Sequence, residues 1–226
     1  MRETSKTRGL LTELELRALS GKGLDIGCGD DPVRPDVQPF DVDQGDANCV
    51  TRFITDLESY DYVFSSHCLE HMYDPCTTIA DWWKLVKPEG TMFVVVPDED
   101  LYEQGYWPSL FNSDHKATFT ISKQSSWSPV SRNLMDLARA LPDAEIVSVR
   151  LQDHRYERKY LAPGVWAHGI AEYAVRTRNN LTRRIPPLRW LFDGLCMLFH
   201  FPIDQTRGHA LAQNILIVTK RRAPAV

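Results

Sequence analysis

The stretch that decides the fold is Leu24-Asp25-Ile26-Gly27-Cys28-Gly29-Asp30. Its apolar residues at 24 and 26 are typical of a short buried strand, and the two glycines that follow let the backbone approach a ligand closely, because glycine has no Cβ. Asp25 places a carboxylate inside this apolar strand, which costs free energy unless the carboxylate meets a donor or a cation. The stretch therefore predicts a buried strand that runs into a ligand-binding turn, with an ordinary strand-to-loop turn as the alternative.

A nicotinamide dinucleotide is the first ligand to consider for such a turn. Dinucleotide-binding turns carry a third glycine three residues after the position of Gly29, where it allows the following helix to pack closely on the strand. Pro32 occupies that position here. The sequence therefore disfavours an NAD-dependent dehydrogenase.

A second strand with a polar end follows at Asp61-Tyr62-Val63-Phe64-Ser65-Ser66-His67-Cys68-Leu69-Glu70-His71-Met72, and a helix is expected to start there. In a doubly wound sheet, ligands bind outside the carboxyl ends of the strands that flank the switch point. The glycine turn and the polar end are therefore expected to face each other across one crevice. Together the two stretches resemble the first- and fourth-strand motifs of class I S-adenosylmethionine-dependent methyltransferases of the type 11-like kind.

The resemblance implies the fold, an α/β, Rossmann-like single domain over residues 1–226 with a mostly parallel seven-stranded sheet and helices on both faces. The helix that begins at Asp74-Pro75 and ends at Lys87-Pro88-Glu89-Gly90, before another buried strand, also matches the family. Helices are expected at residues 10–19 and 130–141, and a helical insertion over 153–208 before the last strand. The seven strands are expected at residues 24–26, 37–43, 48–54, from 61 onward, 91–96, 144–151 and 212–220.

The same resemblance implies the cofactor, S-adenosylmethionine. In this family the glycines pass under its methionine part, and an acidic residue helps to hold its ammonium end. A second acidic residue accepts the ribose hydroxyls; Asp41 is the first choice and Asp43 the second, with surface-turn acids as the alternative. The adenine contact falls on Asp56 and Leu57, with a solvated turn as the alternative. The predicted cofactor-binding residues are Asp25, Gly27, Cys28, Gly29, Asp41, Asp43, Asp56, Leu57, Ser65, Ser66 and His67.

Residues 98–127 are predicted to form a loop on the acceptor side, because they follow the strand whose end borders the acceptor pocket, and such loops often carry function. The segment resembles a bacterial subgroup of these methyltransferases associated with polysaccharide and surface-sugar biosynthesis. Its aromatic side chains are suited to stacking on a sugar ring, and its carboxylates to accepting sugar hydroxyls. An ordered lid without direct chemistry is the alternative.

The implied reaction is methyl transfer to a small-molecule or glycan acceptor, with O-methylation of a sugar or glycan precursor as the main hypothesis. An oxygen acceptor needs its proton removed. His115 is the leading candidate base, with Asp114 orienting it or acting instead, and His67 is the second candidate. The alternatives are N- or C-methylation of a small metabolite, and a non-catalytic cofactor-binding partner in a biosynthetic complex.

No metal site is predicted. His67 and His71 stand four residues apart, but a metal ion needs further ligands, and the interpretation that both histidines line the pocket or pack beside it is favoured. A hard cation held by the acidic residues and histidine of the 98–127 loop is the other metal hypothesis.

Composition predicts a soluble cytoplasmic protein. The five cysteines are odd in number and form no Cys-x-x-Cys pair, which favours free thiols over a disulfide framework or structural zinc. The sequence has neither a long apolar run nor the core of a signal peptide. The net charge is −4, with the basic residues in excess after residue 150. No nucleic-acid-binding motif accompanies them, so a nucleic-acid partner is not expected.

The 153–208 insertion carries an apolar helix near residues 188–199. A basic cluster lies just upstream, at Arg176, Arg178, Arg183 and Arg184. An apolar helix beside basic residues suits an anionic membrane surface. This helix is too apolar around its circumference for a one-sided surface helix. A lid over the active site or a homodimer seam is therefore favoured over peripheral membrane contact.

Overall fold

The structure is a computed structural model, and it describes residues 3–121, 123–161 and 163–222. The helices are α1 Glu3–Arg8, α2 Glu13–Arg17, α3 Pro75–Trp83, α4 Leu134–Arg139, α5 His168–Arg184 and α6 Arg189–Leu198. The strands are β1 Gly23–Ile26, β2 Gln38–Phe40, β3 Tyr60–Ser66, β4 Val86–Pro97, β5 Thr118–Thr120, β6 Ser131–Asn133, β7 Ala144–Gln152 and β8 Gln213–Lys220.

The central sheet has the strand order β2-β1-β3-β4-β8-β7 within the described residues. Strands β1 to β4 are parallel to one another, and β8 runs antiparallel between β4 and β7. Ile26 pairs with Ser65, so the carboxyl ends of β1 and β3 lie side by side. This arrangement confirms the predicted Rossmann-like, mostly parallel sheet with the two motifs at one edge.

Both faces of the sheet are buried, and the alternation of side chains along each strand divides the core into two layers. On β3, Val63 joins the layer that contains Trp82 and Trp83 of α3, while Phe64 joins the opposite layer. The second layer is closed by Leu19, after α2, and by residues of the loop that follows the glycine turn. The sheet is therefore held rigidly enough to fix the positions of its strand ends.

The predicted third of the seven strands, at residues 48–54, is wrong. Within the described part of the chain the central sheet has six strands, and Ala47–Arg52 forms a 3-10 turn. Side chains satisfy the backbone there in place of a strand ladder. Asn48 N donates to Asp46 Oδ1 over 2.9 Å, and Trp82 Nε1 donates to the carbonyl of Ala47 over 2.8 Å. The same region borders the crevice described below.

Several predicted boundaries are also corrected. The helix expected at 10–19 is only α2, which begins at a capping box formed by Thr12 and Glu15; α1 was not predicted. The strand expected at 37–43 ends at Phe40, because the following residues form a turn. The helix expected at 130–141 shortens to α4, which Asn133 caps by accepting from Met135 N over 2.9 Å.

The 153–208 region contains α5 and α6 as well as short 3-10 turns. It packs on the acceptor-side loop: Tyr156 Oη donates to the carbonyl of Leu101 over 2.6 Å, and Gln104 Nε2 donates to the carbonyl of Ile203 over 2.8 Å. The outer side of α6 exposes apolar side chains, with Trp190 72% exposed. Among the described residues, none of the helices combines the length and apolar character needed to cross a membrane.

Candidate active site

The glycine turn after β1 is closed by hydrogen bonds to β2 and to the residue that follows it. Gly27 N donates to the carbonyl of Phe40 over 2.8 Å, and Gly29 N donates to Asp41 Oδ2 over 2.6 Å. Gly27 has φ +77° and Gly29 φ +50°, a region that L side chains rarely adopt. The turn therefore presents bare backbone at the edge of the sheet.

Asp25 supports this turn from inside the core. Its Oδ2 accepts from Val33 N over 2.7 Å, while its Oδ1 is buried without a hydrogen-bond partner among the described residues. Burial raises the pKa of Asp25 to about 7. The hydrogen bond from Val33 lowers this pKa, whereas the nearby negative charges of Asp31 and Asp41 raise it further. Asp25 thus ties the chain after the turn back to β1.

The main crevice, of about 460 Å³, opens at the carboxyl ends of β1 and β3. Of the predicted cofactor-binding residues, Gly27, Asp41 and His67 line it. Its walls are completed by Val42, Gly45, Asp46, Ala47, Asn48, Cys68, His71, Met72, Tyr73, Asp114 and Lys116. The structure thus brings the two sequence motifs together across one crevice, at the predicted place.

The other predicted cofactor-binding residues lie behind or outside the crevice lining. Cys28 is buried, and burial raises the pKa of its thiol to about 11. Ser65 is also buried, and its Oγ donates to the carbonyl of Ile26 over 3.0 Å. Ser66 Oγ is buried and has no hydrogen-bond partner in the described structure. Three residues lie in exposed turns: Asp43, Asp56 and Leu57.

A second cavity, of about 150 Å³, adjoins the crevice. His67 and His71 line both spaces, so they form the wall between them. The remaining residues around the second cavity are Glu3, Glu70, Pro97, Tyr102, Asn112, His115, Thr206, Leu211, Ala212 and Gln213.

His115 is held in the second cavity by contacts on two sides. Its Nδ1 lies 2.7 Å from Glu103 Oε1, and both side chains are buried. The backbone N–H groups of Lys116 and Ala117 donate to the carbonyl of Glu70, over 2.7 Å and 3.2 Å. The predicted pairing of Asp114 with His115 is therefore wrong: the Asp114 side chain is 69% exposed, and its Oδ2 lies 2.9 Å from Nδ1 of His71.

His67 has contacts at both ring nitrogens. Its Nε2 lies 2.9 Å from Gln213 Oε1, and its Nδ1 lies 3.4 Å from Glu70 Oε1. Gln213 Nε2 donates to Thr7 Oγ1 and to Gln152 Oε1, so its carbonyl oxygen faces His67 and His67 Nε2 is the donor. Burial lowers the pKa of His67, but the interaction with the Glu70 carboxylate, together with contributions from Gln213 and Glu3, outweighs burial and raises that pKa. This environment suits a positioning group better than a free base.

The comparison with known proteins decides the family. Residues 2–127 match the methyltransferase domain family. The chain belongs to that family. A candidate methyltransferase from Bacillus halodurans C-125 has a similar structure, with a TM-score of 0.53 and 14% identity over 92% of this chain and 97% of that chain. Phosphoethanolamine N-methyltransferase 2 from Haemonchus contortus, in complex with S-adenosylhomocysteine, has a TM-score of 0.48 and 13% identity over 91% of this chain and 51% of that chain. No curated protein matches the sequence.

The match confirms the predicted enzyme class and cofactor, methyl transfer from S-adenosylmethionine. The crevice of the methyltransferase suits that cofactor, because Gly27 offers its lining a stretch of backbone where a Cβ would collide with Cys68. Asp41, directly after β2, adds a carboxylate to the same lining.

Three residues of the methyltransferase site were not predicted from the sequence: Glu70, Glu103 and Gln213. Glu70 lies within the second motif itself, one residue before His71, and that adjacency was an available signal. Glu103 and Gln213 come from an irregular loop and from the start of the last strand, where no spacing indicates their partners. The hard-cation hypothesis for the 98–127 loop is not supported by the partners of its acidic residues. Asp98 Oδ2 accepts from Asn214 Nδ2 over 3.0 Å, and Asp100 pairs with Lys123.

Proposed function

We propose that this methyltransferase methylates a hydroxyl group of a small acceptor, a sugar or glycan precursor, bound in the second cavity. The pairing of His115 with Glu103 carries the proposal. A hydroxyl acceptor needs a proton acceptor, and a histidine whose Nδ1 is held by a buried carboxylate presents its Nε2 for that role. The pairing distance is 2.7 Å.

In the proposed reaction, the crevice binds the cofactor and the second cavity binds the acceptor. When bound in the crevice, S-adenosylmethionine supplies a methyl group on a positively charged sulfur. The backbone of Gly27 passes under the cofactor, Asp25 acts near its ammonium end, and Asp41 accepts its ribose hydroxyls. His67 and His71 border both spaces, and the acceptor oxygen reaches the methyl group past them from the His115 side.

The polarity of the second cavity supports a hydroxyl-rich acceptor. Tyr102 lies against His115 with its ring centroid 5.3 Å away, and Asn112 and Gln213 contribute amide groups to the same lining. Aromatic faces and amide groups are suited to a sugar ring and its hydroxyls. The resemblance of the 98–127 loop to the polysaccharide-associated subgroup supports the same acceptor class.

The test is a panel of simple sugars and amines incubated with S-adenosylmethionine, with S-adenosylhomocysteine release as the measurement. We expect turnover with hydroxyl acceptors, and a fall of roughly 10²–10⁴-fold in His115→Ala, the usual contribution of a general base. Glu103→Gln should reduce turnover in the same direction. Asp136→Asn, which changes an exposed carboxylate outside both spaces, is the matched control.

Two outcomes would overturn the proposal. Turnover restricted to amine or carbon acceptors, unchanged in His115→Ala, would indicate N- or C-methylation. Tight cofactor binding without S-adenosylhomocysteine release from any acceptor would indicate a non-catalytic partner in a biosynthetic complex.

A further inference from the structure

We propose that Glu70, His71 and His115 form a binding site for a divalent transition metal ion, where the two cavities meet. Each residue offers one ligand atom, and the three atoms lie within 4.8 Å of one another. Glu70 and His115 are buried and His71 is partly buried. Two imidazoles and one carboxylate form a set of ligands that transition metals bind.

The state of Glu70 is an independent sign that a cation belongs here. The residue is 1% exposed, and within the described structure neither carboxylate oxygen accepts a hydrogen bond. Its Oε1 lies 3.4 Å from Nδ1 of His67, and its Oε2 has no hydrogen-bond partner among the described residues. A buried carboxylate in this condition costs several kcal/mol unless a cation compensates it.

The outer contacts of both histidines are those of metal-binding imidazoles. Asp114 Oδ2 lies 2.9 Å from Nδ1 of His71, and Glu103 Oε1 lies 2.7 Å from Nδ1 of His115. A metal-ligating histidine almost always donates its other N–H to a carboxylate, a carbonyl or water, which fixes the ring and its tautomer. Both histidines are thereby set to offer Nε2 to the ion.

The ligand chemistry selects the class of ion. Calcium and magnesium prefer oxygen ligands, whereas imidazole suits zinc, iron, copper and nickel. A zinc ion bound about 2.0–2.2 Å from each donor draws the three side chains together by rotation about their side-chain bonds. Three protein ligands leave at least one coordination position open, as catalytic zinc sites do.

The role of this ion rests on the proposed function, whereas the site itself does not. The acceptor hydroxyl oxygen binds at the open position, its O–H bond breaks, and the proton passes to solvent. The resulting alkoxide forms an O–C bond with the methyl carbon while the C–S bond breaks and its electron pair returns to sulfur, which leaves S-adenosylhomocysteine. In this arrangement His115 acts as a ligand, and the metal ion makes the hydroxyl acidic.

Metal binding is measured by an assay that does not depend on methyltransferase activity. The EDTA-treated protein is dialysed against Zn²⁺, and bound zinc is counted per chain. We expect one ion per chain, with affinity reduced roughly tenfold or more in Glu70→Gln and in His71→Ala. The exposed His154→Ala is the matched control and should bind zinc as the unaltered protein does. Circular dichroism and S-adenosylmethionine affinity, measured on every variant, separate loss of the site from loss of the fold.

Failure of the site and failure of the proposed function give different results. No stoichiometric zinc in the unaltered protein, or equal affinity in folded Glu70→Gln and His71→Ala, overturns the site. Hydroxyl methylation that survives EDTA, without bound metal, overturns the ion's role and leaves His115 as a direct base. Zinc bound through Glu70 and His71 in a protein that methylates no hydroxyl acceptor supports the site and overturns the proposed function.

Discussion

Gly27 faces Cys68 so closely that a Cβ at residue 27 would lie 2.6 Å from both Cβ and Sγ of Cys68. One of these atoms is attached directly to the backbone, so rotation of the Cys68 side chain does not relieve the clash. Gly27→Ala is therefore expected to displace the turn and to weaken S-adenosylmethionine binding at least tenfold. Isothermal titration measures the affinity, and thermal unfolding shows whether the domain remains folded.

Gly164→Ala separates this clash from backbone strain. Gly164 also has positive φ, +66°, but a Cβ there meets nothing within 4 Å. The substitution should cost only about 1–2 kcal/mol of stability from the left-handed backbone and leave cofactor affinity unchanged. Equal cofactor affinities in Gly27→Ala and Gly164→Ala would contradict the close-approach argument.

Asp41→Asn tests the carboxylate at the end of β2. Removing the charge should weaken S-adenosylmethionine binding roughly 10–100-fold, since hydrogen bonds to a charged group contribute about 1.5–3 kcal/mol. Asp43→Asn, in the same turn but exposed, is the matched control and should bind the cofactor normally. If Asp43→Asn weakened binding more than Asp41→Asn, the order of the two candidates would be reversed.

The raised pKa of Asp25 predicts that the free energy of unfolding depends on pH. Burial raises its pKa to about 7, from the usual value of about 3.9. The folded chain therefore holds this proton more tightly than the unfolded chain does. The resulting stabilisation is fully present below about pH 4 and is lost as the pH rises through about 7, at up to about 1.4 kcal/mol per pH unit.

Asp25→Asn provides the measurement for that prediction, because the amide cannot ionise. Urea unfolding at pH 5 and pH 8 should show that the unaltered protein loses more stability than Asp25→Asn across this interval. Parallel losses in the two proteins would show that Asp25 ionises at its ordinary pH.

The basic cluster of the insertion is expected not to hold the protein on a membrane. Arg176 pairs with Glu172 and Arg178 with Asp193, which reduces the attraction to anionic lipids of about 1 kcal/mol per basic residue. We expect no co-sedimentation with anionic vesicles at low or high salt. Vesicle binding at low salt that is lost when Arg183 and Arg184 are both changed to Glu would contradict this. Light scattering then distinguishes the two favoured roles, a homodimer seam or, for a monomer, a lid.

The sequence predicted those parts of the fold whose signal is local. The strands β1 and β3 are short apolar runs with marked ends, and the doubly wound sheet implies that these ends lie side by side. The strand predicted at 91–96 is only the second half of β4, which already begins at Val86. The 48–54 segment does not form the predicted strand because distant side chains bond its backbone, including Asp81, which accepts from Thr51 N; a local pattern does not contain such partners.

Less of the site than of the fold could be predicted, because the partners of its residues come from distant parts of the chain. His115 was identified by residue type and by its place in the loop, but its partner Glu103 depends on the path of an irregular chain between them. The sequence does not single out Glu70, because an acidic residue beside a predicted helix start usually faces solvent, and only the three-dimensional packing shows that it is buried.

The two adjoining spaces of the site draw on different parts of the chain. The lining of the main crevice ends at Lys116, inside the 2–127 segment that matches the family, whereas Thr206 and Gln213 help to close the second cavity. Under the proposed function, the residues that hold the methyl donor come from the early part of the chain, and some of those that hold the acceptor come from beyond the family match. Changes in the last third would then redirect the enzyme to a new acceptor while leaving its means of holding the methyl donor intact.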